Sequence, residues 1–464
     1  MKIGNTTKLV EWITSIQKRN FLLVLLLIAF LLRALFIFVH EDFILLNEMG
    51  GYVYGAENFL EGKGLLFSHE RDYRALLPPM YSIFLALIFS VFGKNFVIVR
   101  LIQALIGALT VLMSYSLGKK MGNEKIARFA AIIMVFYPQN IVFSDLILTE
   151  ILFLFLFTGS FLILFTSLEK KSYVLASLAG ILFGLSSLTR SISFFFLFFL
   201  CGISLVSKKL KPNLKYIILT TLFMCITIVP WTIRNYNVKN AFILINSKTA
   251  IDFYMYNHSD FYHILKNRPN IEDEKRMDAT GTDEIAIYRN ATKLTFEWIK
   301  KHPFLFLFKG VRMMWNFGSL ERTFFTHLKG NYYGEISTFF KIFITPYIII
   351  PFILFMPLII LGFIFIPKTN VPVLISINLI YYMMILGFIA NIFYRQRYPL
   401  LPFFAVFGAY GLLHMKDIIP DFLTPLKKYS WEAKSCILLI GFFAFGWVLD
   451  ILLSISTIIQ HIFK

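Results

Sequence analysis

A few short segments of this chain combine carboxylates with arginines, the side chains that move protons and hold phosphate groups. In the first segment, Glu48, Tyr52 and Ala56 follow one another at intervals of four residues. This spacing places all three on one face of a helix, with the carboxylate at the N-terminal end. Glu48 could therefore handle a substrate proton, or it could simply cap the helix. The residues alone leave both interpretations open.

A second pair of carboxylates, Asp145 and Glu150, lies where a short turn meets a long apolar run. As structural residues they could be a helix N-cap and a first-turn acid. Acidic side chains at this position are nevertheless costly unless they are paired or functional. We therefore predict that Asp145 faces the same side of the membrane as Glu48, and we count Glu150 among the substrate-binding residues.

Arginines recur at the ends of apolar runs. A guanidinium group binds phosphate through a two-pronged fork, so several arginines on one carboxylate-bearing face favour a phosphate site. A single arginine at such a position more often reaches for lipid headgroups. The predicted substrate-binding residues are these arginines together with Arg71 and two tyrosines of the first loop: Tyr52, Arg71, Arg74, Tyr81, Arg190, Arg234, Arg395 and Arg397.

The composition requires that these segments be positioned by membrane-spanning helices. Of 464 residues, 58% are hydrophobic and only 16% are charged. Such a chain is too apolar for a soluble protein. Its composition predicts an all-α polytopic membrane protein. The net charge of +18 falls in short clusters between apolar runs, which excludes nucleic acid as a partner and instead encodes orientation.

About eleven apolar runs approach the length of roughly 20 residues that a span needs. They are residues 20–39, 96–117, 126–141, 150–168, 172–189, 191–207, 214–233, 340–366, 370–393, 398–415 and 433–459. Residues 81–92 are too short, and we interpret them as an interfacial or re-entrant helix. Lysine clusters then face the cytoplasm together with the N-terminus. The carboxylate and arginine segments meet on the extracytoplasmic side.

This topology divides the chain into three predicted regions. Residues 1–233 form an N-terminal transmembrane module whose first loop, residues 40–95, is catalytic. Residues 234–338 form an extracytoplasmic loop region, in which 284–301 have the spacing of an amphipathic helix. Residues 339–464 form the C-terminal transmembrane helices. The expected location is the inner, cytoplasmic membrane.

The ordered set of motifs resembles the GT-C superfamily of polyprenyl-phosphate-sugar glycosyltransferases. The resemblance is to the branch with the protein O-mannosyltransferases and the lipid A aminoarabinose transferases. The matching motifs are Glu48-x3-Tyr52-x3-Ala56, Pro78-Pro79-Met80-Tyr81, Phe92-Gly93, Val99-Arg100-Leu101, Asp145 with Thr149-Glu150, Leu188-Thr189-Arg190, Pro230-Trp231-x-x-Arg234-Asn235, His302-Pro303 and Arg397-Tyr398-Pro399.

The resemblance implies the GT-C fold and an inverting hexosyl or pentosyl transferase. Its donor would be a polyprenyl-phosphate sugar, and its extracytoplasmic acceptor a glycolipid, glycan or protein. It makes Glu48 and Asp145 the catalytic acids. The family usually has aspartate where this chain has Glu48, so either the pocket suits the longer side chain or the base is a neighbour such as Asp42 or Asp145.

The resemblance also allows a divalent metal between the two acids, although the eight histidines show no zinc-binding spacing. A transporter or flippase of a lipid-linked sugar is the alternative function, because it too needs arginines and carboxylates. Arg33, inside the first apolar run, favours that alternative. The position of the other charged residues at span ends favours the enzyme.

Overall fold

The computed structural model describes residues 4–39, 45, 47–257, 283–320, 323–334, 337–389, 394–422 and 431–462. All regular elements in these ranges are helices, so the predicted all-α fold is confirmed. The α-helices are α1 (Gly4–Ser15), α2 (Lys18–Ile37), α3 (Asn47–Leu60), α4 (Met80–Phe92), α5 (Phe96–Met121), α6 (Glu124–Phe136), α7 (Pro138–Asp145), α8 (Glu150–Lys170), α9 (Tyr173–Thr189), α10 (Phe196–Val206), α11 (Leu214–Lys239), α12 (Lys248–Asn257), α13 (Glu284–Lys301), α14 (Pro303–Phe317), α15 (Thr323–Lys329), α16 (Thr338–Phe365), α17 (Val371–Ile389), α18 (Leu401–Phe422) and α19 (Trp431–Ile462). Short 3₁₀ turns occupy Ser191–Ser193, Lys211–Asn213 and Tyr394–Leu400.

Each apolar run predicted to cross the membrane coincides with a helix. By length and composition, six helices in the described ranges can span a bilayer, and α6 with α7 forms a seventh if the pair is counted as one bent span. The 48° bend falls at Pro138, where proline interrupts helical hydrogen bonding. The remaining predicted spans are shorter apolar helices, α9, α10, α17 and part of α19. The total of eleven spans therefore stays a prediction.

Polar caps mark where several helices begin. The side chain of Asn95 accepts hydrogen bonds from two backbone amides at the start of α5. Asn123 caps α6, Ser172 caps α9 and Asp283 caps α13 in the same way. Each cap satisfies an amide that the first turn of a helix leaves without a partner.

Close helix contacts hold the bundle together. Helices α9 and α11 pack against each other, and a Cβ atom at Gly180 would lie only 2.4 Å from the backbone oxygen of Thr220. Helices α16 and α18 approach even more closely, since a Cβ atom at Gly362 would lie 1.8 Å from the backbone oxygen of Phe407. Only glycine fits where two helix backbones come this close.

The buried carboxylate of Glu284, at the start of α13, ties the first loop to the region after α11. It accepts hydrogen bonds from the backbone amides of Arg74, at 2.9 Å, and Ala75, at 3.1 Å. It also accepts a 2.7 Å hydrogen bond from Ser247 Oγ and lies 3.1 Å from Lys239 Nζ. One ion therefore joins the first loop, the end of α11 and the residue before α12 to the start of α13.

Candidate active site

A cavity of about 550 Å³ opens between α3, α12, α13 and the turns that follow α9 and precede α18. This volume lies within the roughly 300–1,000 Å³ of sites that bind small molecules. Its charged and hydrogen-bonding lining includes Glu48, Tyr52, Arg190, Lys248, Asp252 and Arg395. Four of these six residues are among those that the sequence predicts.

Glu48 lies in the first turn of α3 and contacts two cations. Arg395 Nη2 is 3.0 Å from its Oε2 atom, and Lys248 Nζ is 3.3 Å from its Oε1 atom. Burial raises the pKa of Glu48, but Arg395 and Lys248 together lower it well below its ordinary value. Both carboxylate oxygens of Glu48 are therefore engaged, and the group is ionised at neutral pH.

Glu150 and Arg190 extend this row of charges. Arg190 Nη1 lies 2.6 Å from Glu150 Oε1, and Arg395 Nη1 lies 4.0 Å from the same oxygen. The Glu150 side chain is only 3% exposed, so it is held behind the two arginines and away from the cavity surface. Each arginine thus faces the cavity with a carboxylate behind it that fixes its position.

Of the two predicted tyrosines, Tyr52 forms part of the cavity wall and Tyr81 packs behind it. Tyr52 lines the cavity, and its ring contacts that of Tyr81 edge-on at a centroid distance of 5.2 Å. Tyr81 is fully buried and donates a 2.7 Å hydrogen bond to Gln103 Oε1. Gln103 in turn donates to the backbone oxygens of Ser144 and Leu146. Tyr81 therefore supports Tyr52 from behind instead of facing the cavity.

Asp145 does not line the cavity with Glu48. Its carboxylate is fully buried at the end of α7, where its Oδ1 atom lies 3.1 Å from Arg100 Nη1. The backbone oxygen of the same residue accepts a 2.7 Å hydrogen bond from Tyr332. Asp145 and Arg100 thus form a buried ion pair outside the cavity lining, and a shared catalytic role with Glu48 stays a prediction.

Two of the predicted substrate-binding arginines stabilise the first loop. Arg74 Nε lies 2.6 Å from Asp72 Oδ1, and Arg71 Nη1 donates a 2.8 Å hydrogen bond to Tyr73 Oη. These contacts turn both guanidinium groups toward their own loop. Neither residue lines the cavity, so their contact with a substrate stays a prediction.

Arg234 and Arg397 also lie outside the cavity lining. Arg234 donates to the backbone oxygens of Arg74, at 2.6 Å, and Leu65, at 3.0 Å, so it joins α11 to the first loop. Arg397 is buried, donates to the backbone oxygen of Ser319 and lies 3.9 Å above the ring of Phe352. Substrate binding by these two arginines likewise stays a prediction.

Lys248 and Asp252 are cavity residues that the sequence interpretation missed. They lie one helical turn apart on α12, in a region that reads only as polar loop. The spacing of four residues between a cation and an acid was the available signal, but such pairs are common on solvated helices. The pKa of Asp252 is raised to about 6, mainly because the surrounding protein removes part of its hydration, while Lys248 lowers the pKa and Glu48 raises it.

A divalent metal between Glu48 and Asp145 does not fit the observed arrangement. Only Glu48 lines the cavity, and each of the two carboxylates already has a cationic partner. In the part of the chain that is described, no three His, Cys, Asp or Glu side chains form a metal-binding group. The chemistry proposed for the cavity therefore does not depend on the predicted metal.

The cavity thus combines three cations with two carboxylates. Glu48 is ion-paired with two of the cations, and Asp252 lines the cavity near them. Arg190, Arg395 and Lys248 can together bind a phosphate group. An exposed carboxylate beside them can accept a proton. The arrangement suits displacement of a phosphate from a carbon atom by a hydroxyl group.

Residues 77–233 match the family model of dolichyl-phosphate-mannose-protein mannosyltransferase, which is about a third of the chain. No curated protein sequence matches the chain. The matched segment runs from the end of the first loop through α11, and it includes Asp145, Glu150 and Arg190. The motifs from Pro78 to Arg190 thus lie inside the family match, whereas those at Glu48, His302 and Arg397 lie outside it.

Solved structures share the fold. The oligosaccharyltransferase of Archaeoglobus fulgidus, tethered with an acceptor peptide, has 15% sequence identity and a TM-score of 0.51 over 93% of this chain and 55% of its own. AglB from the same organism, in complex with an inhibitory peptide and a dolichol-phosphate, has 15% sequence identity and a TM-score of 0.52, over 92% of this chain and 55% of its own. ArnT from Cupriavidus metallidurans, bound to undecaprenyl phosphate, has 11% sequence identity and a TM-score of 0.53, over 93% of this chain and 75% of its own.

These comparisons define the class of fold. The chain is a multi-pass membrane protein with the fold of the GT-C superfamily, as the resemblance of its motifs predicts. It spans about half the length of the oligosaccharyltransferase chains that it matches. The segment of α4 to α11 carries the mannosyltransferase match in particular.

Proposed function

We propose that this protein is a membrane glycosyltransferase that takes one sugar from a polyprenyl-phosphate donor and transfers it to an acceptor hydroxyl on the extracytoplasmic side. The observation that carries the proposal is the cavity in which Glu48 meets Arg395 and Lys248, with Arg190 beside them. The family match and the structural relatives, two of which contain a polyprenyl phosphate, support the same activity.

In the proposed reaction the acceptor oxygen attacks the anomeric carbon as the bond from that carbon to the phosphate oxygen breaks. The bonding electrons leave with the polyprenyl phosphate, and a cavity carboxylate takes the hydroxyl proton. Attack from the face opposite the phosphate inverts the anomeric configuration, as the family resemblance implies. One sugar is transferred without any further reactant.

The three cations contribute most as the phosphate departs. The leaving polyprenyl phosphate carries more negative charge than the donor diester. Arg190, Arg395 and Lys248 are already fixed by Glu150 and Glu48, so they stabilise that charge with little rearrangement. Stabilisation that grows toward the transition state accelerates the reaction more than tight donor binding does.

The donor sugar is a hexose or a pentose in this proposal, and the acceptor is a glycolipid, glycan or protein. The transporter alternative receives no support from the family match or the solved structures. The charged residues of the cavity also belong to α3, α12 and the ends of helices, which is where an enzyme acting at the membrane surface needs them.

Mass spectrometry of surface glycans, with and without the gene, tests this function. We expect one defined sugar to disappear from the surface of deleted cells while its polyprenyl-phosphate form accumulates. Wild-type protein should restore the sugar, and Arg395→Ala should not. Arg289→Ala, at an exposed position of α13, is the matched control and should restore it fully. Unchanged glycans in deleted cells would contradict the proposal.

A further inference from the structure

The carboxylates near the cavity differ in how they are engaged. Both oxygens of Glu48 contact cations, and Glu150 is buried behind Arg190. Asp252 lines the same cavity, into which its side chain is open, while the surrounding protein removes part of its hydration. Within the described ranges its carboxylate forms no hydrogen bond or ion pair. It is therefore the acid of this site that can still bind a hydroxyl group.

The fold holds Asp252 beside the phosphate-binding cations. It lies one turn after Lys248 on α12, and Lys248 Nζ is 3.3 Å from Glu48. Helix α12 packs against α13, whose Tyr288 and Thr292 also line the cavity. Because Glu284 fixes the start of α13 to Ser247, the residue before α12, this helix cannot drift from the site. Asp252 thus has a defined position and an open face.

We propose that Asp252 is the general base that accepts the proton of the acceptor hydroxyl, and that Glu48 positions Arg395 and Lys248 for the donor phosphate. This inference rests on the proposed function and assigns its proton-transfer step. The acceptor O–H bond breaks as its oxygen bonds to the anomeric carbon. The proton goes to Asp252, and the electron pair of the broken C–O bond leaves with the phosphate.

The charges around Asp252 support this role. Its pKa is raised to about 6 in all: loss of hydration raises it most, Lys248 lowers it, Glu48 raises it, and Arg395 and Arg190 lower it. Tyr288 is the titratable residue of α13 at the cavity. A base whose pKa is close to the working pH is mostly ionised yet still accepts a proton readily. Glu48, whose pKa is held low by two cations, is a much weaker base.

The test measures the release of undecaprenyl phosphate by purified full-length protein in detergent. The donors are a panel of undecaprenyl-phosphate hexoses and pentoses, and solubilised envelope of the source cell supplies acceptors. We expect Asp252→Asn to lower kcat about 100-fold or more, within the usual ~10²–10⁴-fold contribution of a general base, with donor KM unchanged. Asp252→Glu should restore part of the rate. Glu297→Gln, an exposed acid on α13, is the control and should match the wild type.

The pH profile separates Asp252 from Glu48. The wild-type rate should fall as the pH drops below about 6, because Asp252 becomes protonated. Glu48→Gln should keep this acidic limb and move it to lower pH, since removing a neighbouring negative charge lowers the pKa of Asp252. Its main effect should be a changed donor KM. Loss of the acidic limb in Glu48→Gln would make Glu48 the base and overturn the assignment.

The remaining outcomes are also decisive. If the wild type releases undecaprenyl phosphate and Asp252→Asn does so equally fast, Asp252 is not the base, although the proposed function stands. If the wild type releases none from any donor, the proposed function fails and the inference fails with it. A thermal melt checks the fold of the variant. Folding raises the pKa of Asp252, so the ionised carboxylate destabilises the wild-type protein above pH 6, and Asp252→Asn should raise Tm there. Below pH 4 the wild-type carboxyl group is protonated, and the variant should have the same Tm.

Discussion

Replacing Arg395 with alanine tests the phosphate site at its centre. Arg395 lies 3.0 Å from Glu48 and 4.0 Å from Glu150, and its side chain is 26% exposed. A hydrogen bond between charged groups contributes about 1.5–3 kcal/mol. Because two carboxylates already neutralise part of this charge and the side chain is partly solvated, we take about 2 kcal/mol. That free energy corresponds to a roughly 30-fold increase in Kd.

The assay is binding of undecaprenyl phosphate to the purified protein, measured as Kd for wild type and variants. Arg395→Lys keeps the charge but loses the guanidinium fork, and we expect a smaller increase of about 5-fold for a loss near 1 kcal/mol. Arg289→Ala, on the exposed side of α13, should leave Kd unchanged. A Kd for Arg395→Ala within threefold of the wild-type value would refute the assignment of the phosphate to this cavity.

Three further predictions concern the buried acid, the topology and the packing. Asp145→Asn should destabilise the protein by about 3–5 kcal/mol in equilibrium unfolding, since it breaks the buried ion pair with Arg100. Its effect on turnover should add to that of Glu48→Gln, because the two acids pair with different cations. Strong non-additivity would instead join the two acids in one site. In a cysteine-free background, Lys125→Cys should react only with reagent added from the cytoplasm and Glu297→Cys only with reagent added from outside, and the reverse pattern would invert the predicted orientation. Gly180→Ala should lower Tm, because its Cβ atom would lie 2.4 Å from a backbone oxygen of α11, and an unchanged Tm would mean that the helices separate easily.

The fold could be predicted from the sequence because span length and apolar composition are strong local signals. All the apolar runs became helices, and the segment 284–301 became α13. The bend at Pro138 and the close approaches at Gly180 and Gly362 could not be foreseen, since they depend on which helices become neighbours. The orientation in the membrane still rests on the distribution of lysines.

The candidate site was predicted in part. Glu48, Tyr52, Arg190 and Arg395 do line one cavity, and Glu150 supports it, although 347 positions separate Glu48 from Arg395. An arginine at a span end, however, looks the same in sequence whether it binds a ligand or joins two segments. Arg234 illustrates this, since its guanidinium group bridges backbone oxygens of the first loop.

The two missed residues show the converse limit. Lys248 and Asp252 carry no motif, and their importance arises only because Glu284 holds α12 and α13 against the first loop. A contact between segments about 200 residues apart is not visible in local spacing. The proposed base therefore depended on the fold, whereas the proposed class of chemistry was already indicated by residue types.

The central claim is that this cavity breaks the bond between a sugar and a polyprenyl phosphate. It is tested most directly by incubating the purified protein in detergent with undecaprenyl-phosphate sugars and solubilised envelope, and by measuring free undecaprenyl phosphate by mass spectrometry. Detergent micelles have no two sides, so transport alone gives no product. We predict release of undecaprenyl phosphate that depends on Arg395 and is matched by sugar gained on an acceptor. Intact donor in every reaction would contradict the account.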